Sequence, residues 1–244
     1  MRIGIVYLWM MIAALSLSCA AQTPLGQIRD RIAAARSTSK APSLSNDKIV
    51  AGLKEALTVS TRNAVASTGR PDGFLKNAAI KILVPDKLRS VGNGMRLIGM
   101  GSQVDALEVG MNRAAEQAAP ASKQIFIAAV TRMSFHDARH ILSGNDTAAT
   151  DYFKSQSSED LSAAFAPIVH RAMENVGVVR EYNQLMNNPM AARVARNQNF
   201  NLDDYVVAKT VDGLFYVMAE EEKKIRKDPM AQTTSLLKEV FGKR

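Results

Sequence analysis

Apolar residues recur at helical spacing along most of the chain. Over residues 25–36, Leu25, Ile28 and Ile32 stand among Arg29, Asp30 and Arg31, the pattern of a short amphipathic helix. Residues 37–43 lose the period and carry Pro42, so they read as a linker. A long helix is predicted over 46–69, capped by Ser45 or Asn46, carrying Ile49, Leu53, Leu57, Ala64 and Val65 and stopping at Gly69. The run Arg70-Pro71-Asp72-Gly73 has turn chemistry. Residues 79–84 then mix β-branched side chains before Pro85 and form the only strand-like stretch. With no partner strand in the sequence, this stretch is expected to be an extended connector buried against helices.

Pro85 suits the first turn of a helix bearing Leu88, Val91, Met95 and Ile98, loosened by Gly92 and Gly94. Ser102-Gln103-Val104-Asp105 approximates a capping box for a helix whose Val104, Leu107, Met111, Ala114, Ala115 and Ala118 share a face. The small alanines imply close helix contact. Pro120 restarts a helix through Ile125, Ala129 and Met133, and Ser134-Phe135-His136-Asp137 caps another that stops at Gly144. Helices are predicted over 146–155 and 158–175, the second kinked at Pro167, and over 178–186 before the Asn187-Asn188-Pro189 break. A long helix over 202–226 presents Val207, Val211, Leu214, Met218 and Ile225, and a last one carries Leu237 and Phe241. The expected fold is therefore all-α: a single-domain bundle of about eight to ten helices over residues 46–244.

The N-terminus changes the picture of where the chain works. Arg2 is followed by an apolar run over 3–17 and the small residues Ser18, Cys19, Ala20 and Ala21, which is the plan of a secretory signal peptide over 1–21. Residues 22–45 then hold the short helix and linker. The apolar run is short for a bilayer span and lacks a basic stop-transfer cluster, so no membrane span is expected after processing. Two chemistries compete at this point. Signal peptidase would cut after Ala20 or Ala21, whereas lipoprotein processing would make Cys19 the lipidated first residue. Ser16 stands where a lipobox usually has a branched aliphatic side chain, so soluble export is expected, with the anchor as the alternative.

Composition narrows the chemistry. With 47% hydrophobic and 22% charged residues among 244, the chain has a globular balance, which excludes wholesale disorder. Its one cysteine, Cys19, excludes an intrachain disulfide and a cysteine-rich zinc module. Lys and Arg exceed Asp and Glu by 31 to 23, a net +8 that favours anionic partners where the charge clusters. The richest basic stretch runs over 70–96, but only Phe74 interrupts it as an aromatic, so nucleic acid is not an expected partner. An envelope protein or an anionic envelope surface is.

Several phrases occur together and in order: Met111-Asn112-Arg113-Ala114-Ala115-Glu116; Asp137-Ala138 with Ile141-Leu142 and Gly144; and Thr147-Ala148-Ala149-Thr150 before Tyr152-Phe153. Glu220-Glu221-Glu222, Ile225-Arg226, Asp228-Pro229 and Thr233-Thr234-Ser235-Leu236-Leu237 complete the set. The ensemble resembles an exported bacterial family known as domain of unknown function four-one-nine-seven, over roughly 46–242. The resemblance implies one helical domain behind a signal peptide and supplies no mechanism.

Candidate chemistry is sparse. His136 and His140 lie four apart on one helical face beside Asp137, a geometry that can bind zinc, although a metalloprotease helix needs glutamate where Asp137 stands. Solvated or capping histidines are the expected reading, and neither a metal nor a cofactor is expected. Asn112, Arg113 and Glu116 sit in an alanine-rich helix that otherwise reads as buried, with Glu116 four residues after Asn112 on the same face, which fits an interhelical hydrogen-bond network or a polar ligand pocket. Glu220 with Lys224 and Glu222 with Arg226 are i,i+4 ion pairs expected on a solvated face. No nucleophile elbow or Gly-rich phosphate loop is present. The function expected is a non-catalytic envelope binding or scaffolding module with Asn112, Arg113, Glu116, Asp137 and Arg226 organising its site. The rival is a periplasmic enzyme using Glu116 and Asp137 as acid and base, with His136 and His140 assisting through a metal.

Overall fold

A computed structural model describes residues 45–175, 180, 187, 201–228, 230–232 and 234–242, and within them the apolar periods fold as helices, with no strand. In chain order these are α1 (Asn46–Thr68), α2 (Asp86–Leu97), α3 (Gly101–Ala118), a 3-10 turn (Ala119–Ala121), α4 (Ser122–Arg132), α5 (Phe135–Ser143), α6 (Ala148–Asn175), α7 (Leu202–Lys227) and α8 (Ser235–Phe241). The signal peptide expected over 1–21, with Cys19, Ala20 and Ala21, and the short helix and linker expected over 22–45 lie outside the described residues apart from Ser45, as does the helix expected over 178–186 apart from Arg180.

The caps explain several boundaries. Ser45 accepts from Lys48 N to open α1, and Ser134 and Asp137 form a reciprocal capping box on α5. Two of the expected boundaries need correction. Ser102 does not cap α3, which starts at Gly101 with no side-chain cap; Asp105 instead pairs with Arg96 at 2.6 Å. The helices expected over 146–155 and 158–175 are one, so fewer separate helices stand here than the periodicity called for. Pro167 lies inside α6 on its exposed side, where water can take the carbonyl that proline leaves without a donor.

The core lies where α7 packs on α6 and α1, and α3 on α6. The ring of Phe126 from α4 meets Phe153 of α6 and Phe215 of α7 edge to face, with centroids 5.4 and 5.9 Å apart. Ala114, Ala115 and Ala118 are fully buried, so α3 makes the close approach its small residues imply. On α2, Leu88 and Met95 face inward, but Ile98 follows the helix and is 67% exposed, beside Leu97 at 88%, contrary to the expected stripe. No described helix is long and apolar enough to cross a membrane.

Between α1 and α2 the chain makes turns over 69–80 and then runs extended to Pro85, with Phe74, Ile80, Ile82 and Val84 buried. Gly213 of α7 lets this connector in. A Cβ at that position would lie 2.6 Å from Phe74 Cε1 and 3.2 Å from Ile80 Cβ. Gly213→Ala is therefore expected to cost about 1–3 kcal/mol, read as a lower urea midpoint at unchanged slope. An unchanged midpoint would contradict the close packing of the connector on α7.

Candidate functional site

A connector buried without a partner strand leaves peptide groups that need hydrogen bonds from elsewhere. Helix α3 supplies them from side chains one turn apart. Asn112, fully buried, accepts from Ile82 N at 2.9 Å through Oδ1 and donates to Ile82 O at 2.8 Å through Nδ2, so one side-chain amide takes both peptide groups of that residue. Its Nδ2 also donates to Glu108 O at 2.7 Å. One turn earlier, Glu108 Oε1 accepts from Val84 N at 3.3 Å, and its other oxygen lies 3.8 Å from Lys81 Nζ. One turn later, Glu116 Oε1 accepts from Phe74 N and Leu75 N, both at 3.1 Å.

Glu116 carries its charge into the interior with a counterion. Arg113 Nη1 donates to Glu116 Oε2 at 2.6 Å, and Nη2 donates to Asp72 Oδ1 at 2.8 Å. Asp72 sits at a φ of 68° in the turn, a left-handed conformation that aspartate tolerates better than most residues. Lys76 reaches its other oxygen at 2.8 Å. The hydrogen bond from Lys76, then that from Arg113, holds the Asp72 carboxyl below the usual aspartate range, while Glu116 and Asp72 hold the Arg113 guanidinium protonated above its own. A cleft of about 310 Å3 lies beside this cluster, lined by Gly69, Pro71, Gln117 and Pro120 as well as Arg113 and Glu116. The polar groups of the last two are turned to one another and to the 72–75 turn.

A second buried cluster repeats the device. Glu222 of α7 accepts from Ala149 N at 3.0 Å and from Thr150 N and Oγ1 at 2.8 Å, placing a carboxylate on the free amides of the first turn of α6. Arg226 donates to Glu222 at 2.9 Å through Nε and to Ile141 O at 2.9 Å through Nη2, closing the C-terminal end of α5. Its guanidinium lies 5.9 Å from the centre of the Phe241 ring, which ties in α8. The side chains of Glu222 and Arg226 are only 7% and 6% exposed, so the pair is not on a solvated face as its i,i+4 spacing suggested. The expected Glu220 to Lys224 pair is also replaced: Lys223 meets Glu220 at 2.8 Å and Lys224 meets Glu221 at 2.6 Å.

The sequence-predicted residues thus separate. Arg113 and Glu116 meet, Asn112 holds Ile82 one turn away, and Arg226 serves the α5–α6 corner. Asp137 accepts from Ser134 N at 3.0 Å and Ser134 Oγ at 2.7 Å; these bonds, the hydroxyl's first, hold its carboxyl below the usual range. His136 and His140 are exposed, and among the described residues no group of three or more His, Cys, Asp or Glu is placed to hold a metal ion. His170 Nδ1 lies 2.7 Å from Asp203 Oδ2 in the first turn of α7.

Residues 43–242 match the family described as protein of unknown function (DUF4197). The chain belongs to that family. No curated protein and no solved structure matches it. The phrases that carry the family resemblance fall largely on the two joints just described: Asn112, Arg113 and Glu116 at one, Ile141, Ala149, Thr150, Glu222 and Arg226 at the other.

The sequence missed two members of the first joint and one surface. Glu108 continues the four-residue spacing of Asn112 and Glu116, a signal that was there to read, whereas Asp72 joins only through the fold of the turn. The surface is a groove of about 450 Å3 between residues 79–84 and α7, with Tyr205, Lys209, Asp212 and Tyr216 on the α7 wall.

Asn112→Leu preserves much of the side-chain volume but leaves Ile82 N–H and C=O unpaired in the interior. At about 1–3 kcal/mol for each of the two buried unpaired groups, the expected loss is roughly 2–6 kcal/mol in urea unfolding. A loss below about 0.5 kcal/mol, the scale of a surface substitution, would contradict the role given to Asn112.

Proposed function

We propose that this protein is a non-catalytic binding or scaffolding module of the bacterial cell envelope, exported by its N-terminal segment and presenting the groove along residues 79–84 to a partner. The observation that carries the reading is how the candidate polar groups are used. Both oxygens of Glu116 are engaged by the backbone amides of Phe74 and Leu75 and by Arg113, and the side-chain amide of Asn112 by Ile82. Asp137, the other half of the acid and base pair an enzyme would need, is engaged by Ser134 in its own cap. A general base must reach the proton it abstracts, and groups held in this way would have to leave their structural partners first. The groove instead offers an open concave surface with polar and aromatic walls, which suits recognition. A net charge of +8 favours an anionic surface or an acidic partner for the module as a whole.

The test starts from protein recovered from its own envelope. Native mass spectrometry with cross-linking is expected to find a stable macromolecular neighbour and a mature N-terminus at Ala21 or Gln22, with a diacylglycerol mass on Cys19 selecting the lipid-anchored form. A retained small molecule that is turned over, with turnover abolished by Glu116→Gln or Asp137→Asn, would overturn the module reading in favour of an enzyme.

A further inference from the structure

The extended connector has two backbone edges, and α3 uses one of them. Successive residues of an extended chain turn their peptide groups to opposite sides. Ile82 and Val84 turn theirs toward Asn112 and Glu108, so both peptide groups of Leu83 and the C=O of Lys81 turn into the groove, while Lys81 N–H closes the preceding turn on Asn77 O at 2.8 Å. There Tyr205 Oη donates to Leu83 O at 3.1 Å. Lys81 C=O and Leu83 N–H have no partner among the described residues. A carbonyl and an amide flanking one residue in this way are the pair that a single residue of a parallel strand exchanges with its neighbour.

The α7 wall gives the groove a polarity. Tyr205 meets Leu83, and Gly213, about two turns later, abuts Ile80, so α7 runs against the direction of the connector. Lys209 and Asp212 lie between those contacts and line the groove. Arg89 pairs with Asp86, and Lys81 with Glu108, but neither Lys209 nor Asp212 forms an ion pair among the described residues. Lys209 Nζ lies over the Tyr205 ring, 5.9 Å from its centre. Going along the connector from Ile80 to Leu83, the wall therefore shows a free carboxylate and then a free ammonium.

We propose that this groove binds an extended segment of a partner protein, added parallel to residues 81–83, in which a basic side chain facing Asp212 is followed two residues later by an acidic one facing Lys209. The central residue between those two would donate its N–H to Lys81 O and accept from Leu83 N–H, giving affinity without regard to its side chain, while the two charges set direction and register. The proposal rests on the module reading and names the chemistry of its partner.

The probe is a fluorescein-labelled decapeptide of Thr and Ser with Lys-Val-Asp at its centre, compared by anisotropy with the same composition carrying Asp-Val-Lys. Full-length mature protein is expected to bind the first at least about tenfold tighter than the second. The double variant Lys209→Asp, Asp212→Lys changes two exposed side chains and is expected to keep its thermal midpoint while reversing that preference. N-methylation of the central Val removes the donor to Lys81 O and is expected to weaken binding by about tenfold. Equal binding of the two peptides, a preference untouched by the charge exchange, or no saturable binding would each overturn the strand site. If a cross-linked envelope neighbour is found all the same, the module reading stands and only this site falls. If the peptide preference holds and no neighbour is found, the envelope reading falls instead.

Discussion

A peptide group taken out of water must find a partner, and an extended connector buried among helices cannot find one in its own backbone. In this protein the problem is met by the spacing of α3. Residues four apart on a helix lie one above another, so Glu108, Asn112 and Glu116 form a column of acceptors about 6 Å apart. An extended chain advances about 6.6 Å for every two residues, which is close enough for Asn112 to take Ile82 and Glu108 to take Val84. Side chains of a helix thereby do for the connector what a neighbouring strand does in a sheet. With the connector fixed, Phe74, Ile80, Ile82 and Val84 enter the core, and Gly213 marks where α7 gives way to them.

The price of the arrangement is buried charge. Glu116 is only 4% exposed, and leaving such a carboxylate alone would be strongly unfavourable; Arg113 neutralises it and is in turn fixed by Asp72. The corner between α5 and α6 obeys the same logic, with Glu222 on the amides that begin one helix and Arg226 on a carbonyl that ends the other. In both joints a carboxylate three or four residues from an arginine on one helix serves chain ends that arrive from elsewhere. The polar residues that stand out in this sequence are therefore placed where backbone lacks backbone partners. On the reading proposed above, such placement takes them out of the acid and base chemistry their residue types suggest and directs attention to the groove they leave open.

Much of the fold was legible because it depends on local periods. The faces of α1, α3 and α7, the cap at Ser45, the capping box at Ser134 and the burial of Ile80, Ile82 and Val84 in a connector without a partner strand all follow from spacing and cap chemistry, although residues 79–80 belong to a turn and Leu83 is exposed. The polar residues Gln156 and Ser157 misled because they read as a break between two helices, whereas α6 runs straight through them with Ser157 buried. Ile98 misled because it continues the spacing of Leu88 and Met95 just past the point where α2 ends. At the site, the polarity of Asn112, Arg113 and Glu116 was visible, but Asn112 and Glu116 hold the backbone of a connector about 30 to 42 residues away, and backbone partners carry no side-chain signature. Glu222 and Arg226 read as a surface pair for a similar reason: i,i+4 spacing reports the attraction and says nothing of burial.

Amide hydrogen exchange followed residue by residue along the connector tests most directly whether side chains of α3 stand in for a missing strand. The amides of Phe74, Leu75, Ile82 and Val84 should exchange slowly, Ile82 the slowest because its partner is fully buried, whereas Leu83, between two protected neighbours, should exchange fast. Uniformly fast exchange over residues 80–84, or a Leu83 amide as protected as that of Ile82, would contradict the account.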